Sequence, residues 1–192
     1  MTLMRNALAL AVLCSLPALA GPKDDVSKPL KTIVNSVRYG KDNAALKLFA
    51  GEEQARLLLA DAWATGSEAQ RKEFQELFFT LFGKIAFPRI RKNFENLDTV
   101  LYEEPSVNAE GANIASTILI NHPLKKQELK VKYELVKRGG AWKVVDVAVL
   151  GDSMLVGIRD DQVQPLLKEG GWDALLKAMR DKAAELKNVQ LK

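Results

Sequence analysis

Residues 128–153, ELKVKYELVKRGGAWKVVDVAVLGDS, constrain the fold more than any other stretch of the chain. Leu129, Val131, Tyr133 and Leu135 alternate with Glu128, Lys130, Lys132 and Glu134. A strand with this period of two has one dry face and one wet face. Arg138-Gly139-Gly140 follows, and its glycines accept the positive φ of a tight turn, which predicts a hairpin. The return strand opens at Trp142 and reads WKVVDVAVL, apolar on both faces, so it calls for cover on each side. Much of the remaining chain is apolar helix that can supply it.

Strand-like runs at 99–103 and 112–120 precede the pair at 127–137 and 142–150. Turn signals separate them, Asn108-Ala109-Glu110-Gly111 in the first gap and Asn121-His122-Pro123 in the second. Short turns between successive strands give an antiparallel meander. With helices first and strands later, the expected class is α+β. N-terminal helices pack on one side of a curved four-stranded antiparallel sheet, an NTF2-like cone, and C-terminal helices follow.

The helical half carries its own punctuation. Ser27 reads as a cap with Pro29 in the first turn, and Leu30, Ile33, Val34 and Val37 follow at helical spacing up to Gly40. Asp42 reads as a second cap, and GEEQARLLLADAW as a third helix with acidic residues at its positive end. Ser67 and Gln70 have the spacing of a capping box. The helix they open is the most apolar, with Phe74, Leu77, Phe78, Leu81, Phe82 and Ile85 on one stripe and Phe79 widening it. Pro88 is expected to bend or break it near Phe87, and Ile90 and Phe94 continue the apolar face. Such a stripe is either an aromatic-rich core or the wall of a cavity for an apolar ligand. Beyond the sheet, Pro165 predicts two short turns of helix. Gly170-Gly171 predicts a break, and Trp172, Leu175, Leu176 and Met179 form the face of a last helix before a charged, fraying tail.

Residues 1–20 read as a cleaved signal peptide: Arg5 supplies the positive start, 7–16 the apolar run, and Ala18-Leu19-Ala20 the small-x-small cleavage site. The run is too short for a stable span. Cys14, the only cysteine, leaves with this leader, which excludes thiol catalysis and thiolate metal sites from the mature chain and fits an exported protein that relies on its core. Residues 21–192 then form one domain. The formal net charge is +4, with charges of both signs interspersed, so no basic stripe marks a nucleic-acid partner.

Candidate chemistry is sparse. The P-loop, nucleophile-elbow and H-E-x-x-H patterns are absent. His122, the only histidine, sits beside Pro123 in a turn, where a surface role stands against that of a general base. Asp146 interrupts a buried-looking strand. Facing an apolar cavity it can act as a base; otherwise it points to the wet face or accepts backbone hydrogen bonds. Asp160-Asp161 and Glu103-Glu104 are adjacent pairs whose side chains diverge, so they imply no shared metal.

The C-terminal half resembles the MlaC family of periplasmic phospholipid-binding proteins, also called the toluene-tolerance family. That family's W-x-V-x-D-V strand matches Trp142, Val144, Asp146 and Val147. Its G-x-S, hydrophobic pair and arginine-bearing helix match Gly151, Ser153, Met154, Leu155 and Arg159. Phe78-Phe79 with Leu81 and Phe82 is similar to the family's F-x-x-L-F helix, and the leader, the Tyr39-Gly40 helix end and the order of elements also fit. The chain departs from the pattern at Ile158, where tyrosine is usual. Asp161 and Gln162 replace glutamine and phenylalanine, and Asp152 replaces an apolar residue.

The resemblance implies a pocket between sheet and helices that holds the acyl chains of a phospholipid, with the head group outside. It implies a carrier and not an enzyme, with no cofactor, that shuttles lipid between outer- and inner-membrane complexes. The partners are then an inner-membrane MCE-domain ABC transporter complex and an outer-membrane lipoprotein. Two acyl chains carry on the order of 30 methylenes at about 0.8 kcal/mol each, so a bare lipid crossing water faces a barrier of roughly 20 kcal/mol or more. The expected wall residues are Phe78, Phe82, Ile85, Leu119, Val131, Tyr133, Val147, Val149 and Leu155, with Arg159 at the mouth near the phosphate. A register error of one exchanges half of the strand residues. Two alternatives stay open: a small NTF2-like enzyme using Asp146 as general base in an apolar pocket, and an interaction module with a solid core.

Overall fold

The computed structural model describes residues 21–121 and 125–191. The leader with Cys14, and the turn residue His122, lie outside the described residues. The chain is α+β. It opens with α1 (Pro22–Arg38), α2 (Asp42–Leu46), α3 (Gly51–Leu59), α4 (Ala62–Thr65) and the long α5 (Glu68–Phe94). The strands are β1 (Leu97–Tyr102), β2 (Ser106–Val107), β3 (Ala112–Asn121), β4 (Lys126–Arg138), β5 (Ala141–Val149) and β6 (Asp152–Ser153). α6 (Met154–Ile158), a π-helical turn (Arg159–Val163) and α7 (Gln164–Glu185) complete the chain.

The sheet is antiparallel throughout, in the order β1-β3-β4-β5-β6, with β2 also on β3. The four expected strands are its long members, and the two-residue β2 and β6 extend it. Gly139 (φ 57°) and Gly140 (φ 80°) make the two-residue turn closed by Arg138 and Ala141, because only glycine takes both positive values without strain.

β5 has a different explanation from the one its apolar composition suggested. Glu134 pairs with Asp146 and Leu135 with Val144, so Val145 is the extra residue of a bulge. The bulge turns both Val144 and Val145 into the core, where they are 0% and 4% exposed. Two successive valines therefore do not require cover on both faces of the sheet.

Local signals set some helix limits and tertiary contacts moved others. The Ser67–Gln70 capping box forms in both directions and starts α5. α1, however, begins at Pro22 and not near Ser27: proline at the first turn followed by Asp24 and Asp25 suits a helix N-terminus. Pro29 is then internal and buried. Trp142 Nε1 donates to Asp25 Oδ2 at 2.9 Å and ties this early start to β5. Asp42 is the first residue of α2, buried and paired with Arg91 of α5, instead of a cap. The third predicted helix is split where Ala60 takes φ 48° between α3 and α4.

α5 runs unbroken through Pro88. The lost donor costs on the order of 3 kcal/mol. Phe87, 1% exposed, and its partly buried neighbour Ile90 anchor the helix on either side of it. Nor does Pro165 break the chain, since it lies in the first turn of α7. The break falls at Gly170-Gly171, where Gly171 takes φ 63°. The tail is tied down: Lys84 Nζ donates to the Leu186 carbonyl at 2.9 Å, and Leu191 lies over Gly83.

Candidate functional site: an apolar cavity under the sheet

A cavity of about 350 Å³ lies between α1, α5, the covered face of the sheet and α6. Its wall begins with Leu30, Ile33, Val34 and Val37, the stripe of α1. Phe82, Ala86, Phe87, Ile90, Asn93 and Phe94 of α5 form a second side. The strands contribute Ile118 and Ile120, Leu129, Val131 and Tyr133, and Val144, Val145, Val147 and Val149. Met154, Leu155 and Ile158 finish it on α6. Strand side chains two apart share a face, so the regular alternation of β3 and β4 makes a continuous apolar floor.

Few polar groups interrupt this wall, and most are engaged. Tyr133 Oη and Ser116 Oγ lie 3.1 Å apart in a buried hydrogen bond, and burial pushes the Tyr133 phenol up from its ordinary value. Gln54 Nε2 donates to the Val145 carbonyl at 2.8 Å. Asp146 accepts from Ser153 Oγ and, at 3.1 Å, from the backbone N–H of Leu155. Ser153 in turn caps α6 by accepting from Val156 N at 3.0 Å. The Asp146 carboxylate therefore fixes the start of α6 against β5, the hydrogen-bonding role rather than the wet-face one. The described residues contain no group of three or more His, Cys, Asp or Glu arranged to hold a metal.

Phe82, Val131, Tyr133, Val147, Val149 and Leu155 border the cavity, whereas Phe78, Ile85, Leu119 and Arg159 do not. Phe78 belongs to a second cluster with Phe74, Leu175, Leu176 and Met179, because α7 covers the N-terminal half of α5. Ile85, 36% exposed, belongs to neither apolar cluster. Leu119 sits between Ile118 and Ile120, which face the void, so the pleat sends it to the opposite face. The run Ile118-Leu119-Ile120 is apolar at every position, so alternation gave no choice of face. Arg159 is held by its neighbour, with Nε donating to Asp160 Oδ1 at 2.7 Å. The sequence reading assigned no wall residue to α1, although its stripe was visible. Nothing local distinguishes a helix face that meets a void from one that meets a solid core.

The MlaC protein family model matches residues 33–181. The chain belongs to the MlaC family. A phospholipid-binding protein from Ralstonia solanacearum, solved in complex with a phospholipid, shares the fold. It aligns with a TM-score of 0.70 at 17% identity, over 87% of this chain and 99% of that one. A protein of unknown function from Mycobacterium tuberculosis gives a TM-score of 0.29 at 12% identity, over 83% and 89% of the two chains, too low to carry an argument. No curated protein matches the sequence. The W-x-V-x-D-V residues of this MlaC member now have a physical role. Trp142 ties β5 to α1 through Asp25, Val144 and Val147 border the void, and Asp146 holds α6.

Proposed function

We propose that this protein is a periplasmic carrier that takes up phospholipid by its acyl chains and passes it between outer- and inner-membrane complexes. The observation that carries the reading is the cavity wall, mostly Leu, Ile, Val and Phe, with Asp146, Tyr133 and the Gln54 amide nitrogen already engaged in protein hydrogen bonds. Such a wall replaces the bilayer interior for an acyl chain, so the lipid moves without any covalent step. Membership of the MlaC family and the phospholipid bound by the Ralstonia protein support the same ligand class. No described helix is long and apolar enough to cross a membrane. We take residues 1–20 as the leader that exports the chain. An inner-membrane MCE-domain ABC transporter and an outer-membrane lipoprotein are its partners in this reading.

The test is organic extraction of the purified mature protein followed by mass spectrometry. The expected result is phospholipid that co-elutes with the protein through gel filtration. A lipid-free protein that also takes no labelled phospholipid from vesicles overturns the reading.

A further inference from the structure

Seven of the eight arginines in the described residues have a partner. Arg56, Arg91, Arg138, Arg159 and Arg180 pair with carboxylates. Arg71 donates to the Trp63 carbonyl, and Arg38 lies over the Tyr39 ring. Arg89 is exposed and makes no hydrogen bond, ion pair or ring contact. Its position on α5 is informative. Residues three and four apart share a helix face, so Arg89 stands next to Ala86 on one side and Asn93 on the other, and both border the cavity. Asn93 is itself exposed, so this part of the wall is its rim. The row reads Ile85, Arg89, Lys92 and Asn93, without a carboxylate. Arg159, the arginine that the family resemblance favoured, is already neutralised by Asp160.

We infer that Arg89, with the Asn93 amide beside it, receives the phosphate of a lipid whose chains occupy the cavity, so the site selects phosphate-bearing lipids over neutral ones. This rests on the carrier reading. A guanidinium offers two parallel donors to a phosphate, and at the edge of an apolar wall the ion pair is less screened than in bulk water.

The experiment measures equilibrium binding of two fluorescent lipids with identical chains, phosphatidylglycerol and diacylglycerol, to the mature protein and its Arg89→Glu and Arg89→Gln variants. Arg89→Glu is expected to weaken phosphatidylglycerol about tenfold or more, Arg89→Gln less, and neither to change diacylglycerol. Reversal of a distant charge on the same helix, Lys72→Glu, is expected to change neither ligand. Arg89 is exposed, so both variants are expected to melt as the parent does; the glutamine variant serves if the glutamate one does not fold. Equal loss for both lipids, or loss for neither, overturns the inference while leaving the carrier reading intact. A parent protein that binds neither lipid overturns both. Titration with inorganic phosphate alone separates the sources of the anion. Saturable binding lost in Arg89→Glu assigns a free-anion site against the lipid head group, and absence of binding supports the head group.

Discussion

The two halves of α5 carry similar residues in different surroundings. In the N-terminal half, Phe74 and Phe78 stack with ring centroids 6.2 Å apart and pack with Leu175, Leu176 and Met179 into a filled core. In the C-terminal half, Phe82 and Phe87 meet edge-on at 5.4 Å, yet the wall they share with α1 and the sheet encloses a void. Phe79 and Phe82 touch both clusters and form the seam. The difference lies in what faces the helix. α7 lays a complementary apolar stripe on the first half. The second half spans the concave face of a sheet whose side chains do not reach across. A phenylalanine-rich helix therefore specifies apolar surroundings and leaves their density to its partners.

The sharpest way to break this contrast is to truncate one ring on each side of the seam. Phe74→Ala is expected to cost about 3–5 kcal/mol in denaturant unfolding, because a 0% exposed ring leaves a void in a filled core. Phe82→Ala is expected to cost no more than about half of that, since this ring meets Phe49, Phe78 and Phe87 but also lines the cavity, so part of its surface has no packing partner to lose. Equal losses would mean that the two halves are packed alike and that the cavity closes in solution.

A second substitution tests what braces the hollow half. Asp42, 2% exposed, pairs with Arg91, whose Nε also donates to the Val37 carbonyl at 2.8 Å, so this pair joins α1, α2 and α5 behind the void. Arg91→Ala removes the cation that a buried carboxylate faces, and the loss is expected to be up to about 3 kcal/mol by the same measurement. A neutral outcome would place the bracing elsewhere.

Alkaline titration probes the same half without mutation. Burial pushes the phenols of Tyr102 and Tyr133 above the ordinary value of 10.0. Their folded values are raised, so the stability they contribute is complete below pH 10 and is lost as pH rises toward the folded values. Melting temperature is therefore expected to fall above about pH 10, and ultraviolet titration to show two phenols ionising late or with unfolding. Early ionisation of both would show that the hollow half admits water.

The smallest effect concerns the turn between β5 and β6. Leu150 holds φ 55° and is 73% exposed, in a two-residue turn where asparagine or glycine is preferred. Leu150→Asn is expected to stabilise by about 0.5–1 kcal/mol. A gain without change in lipid uptake assigns the leucine no part in the cavity. A gain with slower uptake assigns it a part in loading.

Much of this architecture was legible in the chain. The alternation of β4, the glycine pair of its hairpin, the Ser67–Gln70 box and the Gly170-Gly171 break each depend on residues within a few positions of one another. Local sterics and hydrogen bonding decide them before any tertiary contact forms. So does the apolar stripe of α1, although its role was not visible. Other features depend on partners remote in sequence. The bulge at Val145 exists because β4 and β5 pair out of step. Leu119 faces away from the void because Ile118 and Ile120 were drawn to it. Arg159 is occupied and Arg89 is free through the placement of Asp160 and the absence of an acid on the row of α5 that carries Arg89. A sequence states how its residues are spaced along each element, and from that spacing follow the faces. Which apolar face meets a neighbour and which meets a cavity is a property of the assembled layers. Only the tertiary structure decides it, since filling or leaving a void requires atoms from several elements at once.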